Sequence, residues 1–236
     1  MSKKFKELFF VEGNIGSGKS TLLRIIKNYL NIEVVPESVE HWQSISQSKE
    51  NLLDYFYKDP KRWAYTFQTY AFLTRALEQE RSIKSHDRLI LERSIYADRY
   101  CFAKVCFELG YMSEFEWQLY KEWFEIVESN LITKSSGIIY LKAEPTVSYN
   151  RVNKRNRQEE SNITLDYIKL IHQSHEMWIE YVKSSNFLPV LTILCDKDFE
   201  QDLDYQKHIA NDILNFINQN KLEKDFKNNL KENILL

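Results

Sequence analysis

The run Gly13-Asn14-Ile15-Gly16-Ser17-Gly18-Lys19-Ser20-Thr21 matches the pattern G-x-x-x-x-G-K-[ST]. Glycines at this spacing let backbone N–H groups converge on phosphate oxygens, and a helix opening at the lysine adds its positive end. Lys19 has the reach to meet β- and γ-phosphates, and the Ser20 hydroxyl is spaced to ligate Mg²⁺. An apolar, strand-like run, Leu8-Phe9-Phe10-Val11, precedes the pattern, and an amphipathic segment follows it. In a chain with only 5 glycines, that context marks a purine nucleoside triphosphate site rather than a plain glycine-rich turn.

Other charged residues fall where they could serve that site. Glu37 follows a second strand candidate, and Glu92-Arg93 follows a third. In a parallel sheet the carboxyl ends of strands face the ligand crevice. Two carboxylates beside one triphosphate can divide the work, one accepting a hydroxyl proton and the other holding Mg²⁺. A lone glutamate at a strand end can equally cap a helix. Arg151, Arg155 and Arg157 precede Glu159-Glu160, and residues 151 and 155 share one helical face. Planar, permanently charged guanidiniums suit a lid over a transferring phosphoryl group. A solvated basic face is the bland alternative, and nucleic-acid binding a weaker one. His172 and His175 also share a face, but with no third ligand evident they are assigned to packing.

These residues need a scaffold. Strands are expected at Glu7–Val11, Ile32–Val35, Leu89–Leu91, Gly137–Leu141 and Val190–Leu194, each apolar enough to be covered on both faces. Helices are expected around Thr21–Leu30, Pro60–Ile83, Ser113–Leu131, Pro145–Arg155, Leu165–Val182 and Tyr205–Gln219. The alternation means an α/β fold with a parallel, helix-covered sheet. One domain over residues 1–220 is expected, with a charged tail, 221–236, that ends or extends the last helix. Phe115, Trp117, Tyr120, Trp123, Phe124, Val127 and Leu131 put apolar bulk on more than one helix face, as a helix between the core and a second subunit would.

The 236 residues are 43% hydrophobic and 28% charged, with a net charge of −2. That balance argues against a dedicated nucleic-acid binder. Three cysteines without a CxxC pair fit a reducing compartment and argue against a disulfide scaffold or a zinc site. No apolar run reaches membrane-spanning length. Met1-Ser2-Lys3-Lys4 leads straight into strand-like sequence, so no targeting segment is visible and a cytoplasmic location is expected.

Taken in order, the pieces resemble the deoxynucleoside kinase family, most closely its deoxyguanosine and deoxycytidine kinase branch. The resemblance runs from Phe9 to Phe216. It rests on Glu12-Gly13-Asn14-Ile15, Val34-Val35-Pro36-Glu37, Arg62-Trp63, Thr66-Phe67-Gln68-Thr69-Tyr70, Glu92-Arg93-Ser94-Ile95-Tyr96 and Asp98-Arg99-Tyr100. The arginine lid, His175-Glu176-x-Trp178 and Asp198-Phe199 complete it.

The resemblance implies a P-loop kinase fold, with a five-stranded parallel sheet flanked by helices and an arginine-rich lid, usually as a homodimer. It implies ATP and Mg²⁺, transfer to the 5′-hydroxyl of a deoxynucleoside, and a place in nucleotide salvage. Glu37 would be the base, Glu92 with Ser20 the magnesium ligands, and Arg93 the contact to the reacting oxygen or phosphoryl group. Tyr57 and Glu160 would hold the sugar 3′-hydroxyl. Gln68 and Asp98 would bind the base, with Arg75 orienting Asp98. Leu53, Phe56, Phe67 and Phe102 would wall the pocket, with Trp42 nearby. On the donor side Arg155 and Phe199 would sandwich adenine, with Lys197 and Asp198 beside it. Purine deoxynucleosides are favoured, with deoxycytidine accepted. A nucleoside monophosphate kinase resembling thymidylate kinase, and a non-catalytic nucleotide-binding module, are the competing functions.

Overall fold

A computed structural model of the chain describes residues 7–45 and 50–234; the Met1–Lys4 segment lies outside them. The chain opens with β1 (Glu7–Gly13), α1 (Lys19–Leu30) and β2 (Glu33–Val35). Helices α2 (Glu40–Gln43), α3 (Leu52–Lys58) and α4 (Pro60–Ser85) follow, then β3 (Arg88–Glu92). Next come α5 (Ile95–Ala97), a π-helical turn at Asp98–Ala103, α6 (Lys104–Glu108) and α7 (Glu114–Leu131). The last part holds β4 (Gly137–Lys142), α8 (Pro145–Arg155), a 3₁₀ turn at Gln158–Asn162, α9 (Leu165–Ser184), β5 (Val190–Leu194) and α10 (Leu203–Ile234).

The strands form one sheet in the order β2-β3-β1-β4-β5, with every pairing parallel. β1 is central, so its loop lies where connections depart to both sides, the usual ligand crevice of an open α/β sheet. Leu8, Phe9, Phe10 and Val11 of β1 are almost fully buried, as are Leu89 and Ile90 of β3 and Ile139 of β4. Coverage on both faces, expected of all five strands, fails at the two edges. β2 is partly exposed throughout, and Leu194 at the end of β5 is 64% exposed, because each edge strand has a partner on one side only.

Local chemistry explains the helix boundaries. Ser113 is not the first residue of α7 but its cap, forming a capping box with Glu116. Asp59 caps α4, whose first residue is Pro60, and Thr164 caps α9. α10 runs through residue 220, so the charged tail extends the last helix. α7 turns Tyr120, Phe124 and Val127 inward and leaves Phe115, Trp123, Ile126 and Leu131 exposed. Among the described residues no helix is long and apolar enough to cross a membrane.

Candidate active site

β1 delivers the glycine-rich turn to the carboxyl edge of the sheet. Gly16 has φ +76°, and a Cβ there would lie 2.3 Å from the Ser148 carbonyl oxygen, so α8 presses directly on the loop. Gly18 has φ +101°, and its Cβ would meet the Phe199 ring at 2.9 Å. Both positions therefore need glycine. Gly18 caps α1 without a side-chain hydrogen bond, leaving the helix's first N–H groups without a capping side chain. Asn14 locks the turn, donating to the Ile168 carbonyl at 2.9 Å and accepting from the Ile15 N–H at 2.8 Å. Lys19 Nζ donates to the carbonyls of Gly13 and Asn14. Burial, then the nearby Arg93, lowers the Lys19 pKa to about 7, a shift that a bound anion would reverse.

β2 and β3 bring the expected carboxylates to the same edge. Ser20 Oγ lies 3.3 Å from both carboxylate oxygens of Glu92, and the Glu37 N–H points at Glu92 Oε2 from 3.4 Å. Arg93 occupies the left-handed region, φ +65°, at a cost of about 1–3 kcal/mol for a non-glycine residue. Its N–H donates to the Val11 carbonyl at 3.0 Å, and its Nη1 to the Gly13 carbonyl at 2.8 Å. Its Nε stands 3.3 Å from Glu37 Oε1, and its guanidinium lies over the Phe102 ring.

α4 supplies Arg75, the centre of this network. Arg75 Nη2 donates to Glu37 Oε1 at 2.7 Å, while Nε and Nη2 grip Asp98 at 2.7 and 3.2 Å. Burial works to raise the Glu37 pKa, but Arg75, followed by Arg93 and Lys19, overcomes it and holds the carboxylate at about 2. Asp98 is raised from its ordinary value: burial outweighs the opposing pull of Arg75. Gln68, two turns before Arg75 on α4, donates to the Cys106 sulfur at 3.7 Å. The walls expected from the sequence assemble here. Phe56 stacks on Phe67 at 4.8 Å, Trp42 meets Phe67 edge-on at 5.5 Å, and Leu53, Tyr57 and Phe102 border the same space. A single cavity of about 690 Å³ runs from this pocket to the phosphate loop and the arginine segment.

The lid differs in detail from the sequence picture. Arg151 and Arg155 do not present one free face. Arg151 donates to the Lys197 carbonyl at 3.1 Å, whereas Arg155 forms a two-point pair with Glu160 at 2.7 and 2.6 Å. Arg157 adds a third contact to Glu160 at 3.1 Å. Glu160 is buried, so the acid expected at the sugar and the arginine expected at adenine lie in one ion-pair cluster. Tyr57 feels this acid: burial, then Glu160, pushes its phenol further up from the ordinary value. Phe199 is buried against Gly18, and Lys197 contributes its carbonyl rather than its ammonium. His175 is buried with Nδ1 on the Ile171 carbonyl, and burial lowers its pKa to about 3, so it packs as a neutral ring.

With the geometry established, comparison with known proteins is decisive. The family model described as deoxynucleoside kinase matches residues 9–218. The chain belongs to the deoxynucleoside kinase family. A fowlpox virus (strain NVSL) protein named "Probable deoxycytidine kinase" is 40% identical, over 89% of this chain and 87% of its own length. Deoxycytidine kinase 2 of Gallus gallus is 35% identical over 88% of this chain and 89% of its own. Mitochondrial deoxyguanosine kinase of Xenopus laevis is 37% identical over 81% and 82%. The kinase is accordingly an ATP-dependent phosphotransferase acting on deoxynucleosides.

Several residues of this kinase's site escaped sequence reasoning. Gln43 and Asn51 each donate to Glu159 at 2.8 Å, tying α2 and the start of α3 to the 3₁₀ turn of the lid. Tyr167 lines the cavity from α9. Glu12, fully buried behind the loop, accepts from Ser94. Only Asn51 carried a local signal, as the cap of α3 through Asp54. The other pairs join residues about 80 or more positions apart.

Proposed function

We propose that the kinase transfers the γ-phosphoryl group of ATP to the 5′-hydroxyl of deoxycytidine and of purine deoxynucleosides. The observation that carries this reading is Arg75 bridging Glu37 and Asp98, both at 2.7 Å, inside the cavity that reaches the phosphate loop. It couples a carboxylate suited to a reacting hydroxyl with one suited to a base edge. Asp98 and Gln68 offer an acceptor and a donor–acceptor amide, the complement of an amino-bearing base. Deoxycytidine, accepted beside the favoured purine deoxynucleosides in the sequence reading, takes equal place with them because it is the substrate in the names of several relatives.

In this mechanism Glu37 accepts the hydroxyl proton. A pKa of about 2 makes it a weak base. Phosphoryl transfer through a loose transition state asks more for orientation than for basicity, so ionised and aligned is the useful state. Arg93 and Lys19 stabilise charge on the transferring group, and Arg151 borders the same cavity from the lid side, while Arg155 is engaged by Glu160. Ser20 Oγ and the Glu92 carboxylate are hard oxygen donors 3.3 Å apart, and no cluster of three or more His, Cys, Asp or Glu ligands exists among the described residues. That donor set fits Mg²⁺, which takes one or two protein oxygens and completes its shell with phosphate and water. Ser20 and Glu92 would hold the ion there, where it would supply neutralisation of charge on the phosphates. The exposed apolar edge of α7 supports a homodimer, with Phe115 at 72% and Ile126 at 52% exposure.

A coupled assay with ATP and Mg²⁺, offered each deoxynucleoside and then each monophosphate, tests the proposal. Deoxycytidine and the purine deoxynucleosides should be turned over in preference to thymidine. Faster turnover of any monophosphate would overturn it, since Glu37 would repel a second phosphate in the acceptor pocket.

A further inference from the structure

Glu12 is the last residue but one of the central strand β1, paired in register with Tyr140, and is 0% exposed. Its Oε1 accepts two hydrogen bonds from Ser94, at 2.8 Å from the backbone N–H and 2.5 Å from the hydroxyl. Its Oε2 is buried with no hydrogen-bond partner among the described residues. Such a group is a poor choice for core packing, because an apolar side chain of that size would avoid the desolvation penalty. Burial pushes Glu12 up to about 7, against the pull of the Ser94 hydroxyl and then of Arg93 and Arg75.

What the carboxyl holds is a turn with something to aim. Ser94 directly follows Arg93, whose backbone sits at φ +65°. On one side the Arg93 N–H is fixed to the Val11 carbonyl at 3.0 Å. On the other, Glu12 fixes both donors of Ser94, and the Ser94 hydroxyl in turn caps α5. The strained residue is thus clamped by two consecutive positions of β1, Val11 and Glu12. Between these clamps its guanidinium reaches the Gly13 carbonyl at 2.8 Å and stands 3.3 Å from Glu37.

We infer that Glu12 is a positioning residue: by anchoring Ser94 it holds the Arg93 guanidinium beside Glu37 at the acceptor end of the site. The inference rests on the role proposed above for Arg93. Losing the anchor lets the turn relax and displaces the guanidinium while leaving the phosphate loop's own contacts intact. Displacement of about 1 Å at a reacting centre costs about 10²-fold in rate.

The test measures kcat, KM and ATP affinity by calorimetry for E12L, E12Q, S94A, R93A and the double variant E12L/R93A, with thermal unfolding alongside. E12L should lower kcat about 10²-fold, with KM and the ATP dissociation constant within about threefold of wild type. E12Q keeps one acceptor oxygen for Ser94 and should recover most of that loss. E12L/R93A should be no slower than R93A, because a positioning residue has nothing left to position. E12L with wild-type kcat, or a full additive loss in the double variant, would overturn the inference. If E12L does not fold, S94A decides: a kcat loss of about tenfold supports the anchor and none refutes it. Wild-type turnover in R93A would overturn the role of Arg93 itself, a result distinct from a slow R93A beside an unaffected E12L.

Discussion

Replacing Arg75 by methionine removes the cation that two buried carboxylates share. The side chain is 8% exposed and meets Glu37 and Asp98 at 2.7 Å each. Against the upward push of burial, Glu37 is held at about 2, below an ordinary 4.5, by Arg75 and then by Arg93 and Lys19. Breaking a buried ion pair by deleting one partner costs about 3–5 kcal/mol. The sign also predicts a pH signature. In the wild type Glu37 is depressed, so its stabilising contribution is complete above pH 4.5 and fades as pH falls towards 2. In the variant burial acts on Glu37 with the largest opposing charge gone, so its pKa moves up, and Asp98, already raised, moves further. Groups with raised values destabilise at high pH and are relieved as they take up protons. The gap between wild type and R75M should therefore be largest near neutrality, at roughly 3 kcal/mol, and narrow as pH is lowered towards 5. Urea unfolding at several pH values measures it. A gap below about 1 kcal/mol, or one independent of pH, would refute the reasoning.

E92Q should lose activity at ordinary Mg²⁺ and regain much of it at high Mg²⁺ in a titration of rate against Mg²⁺ concentration; indifference to Mg²⁺ would remove Glu92 from the metal site. D98A should lower kcat/KM for deoxycytidine and purine deoxynucleosides by orders of magnitude more than for thymidine, since an unmet polar partner discriminates more strongly than a methyl contact, worth about 1–3 kcal/mol. The double variant R75M/D98A is a less clean probe, because Arg75 also holds Glu37 and its loss should slow all four substrates together. W123E places a charge on the exposed edge of α7 and should convert a dimer to monomer in light scattering, with folding intact; an unchanged mass would move the interface elsewhere.

The parts of this architecture that follow from local patterning were legible in the sequence. All five strands and the six long helices are announced by apolar runs or helical periodicity, and the phosphate loop by its glycines. Phe67, Gln68, Ala71 and Arg75 on α4 all border the cavity, the three of them that the resemblance assigned to the substrate pocket included. Short elements were less visible. α2, α3, α5 and α6 have at most 7 residues each, too few to show a period, and the π-helical turn at Asp98 looks like ordinary helix in sequence. Least legible were pairings set by tertiary contact. Nothing local to Glu12 predicts Ser94, and nothing local to Arg155 chooses Glu160 over a bound nucleotide. Arg75 was expected to orient Asp98 alone; its second bond to Glu37 depends on how β2 and α4 approach one another.

In the proposed mechanism Glu37 takes the proton from the acceptor hydroxyl while the phosphate loop binds ATP independently of it. Single-turnover phosphorylation of deoxycytidine by E37Q, beside calorimetric ATP binding to the same protein, tests this most directly. ATP affinity should stay near the wild-type value and the chemical step should slow by about 10²–10⁴-fold, with no rescue by high Mg²⁺. A chemical step at near wild-type rate would rule out Glu37 as the proton acceptor.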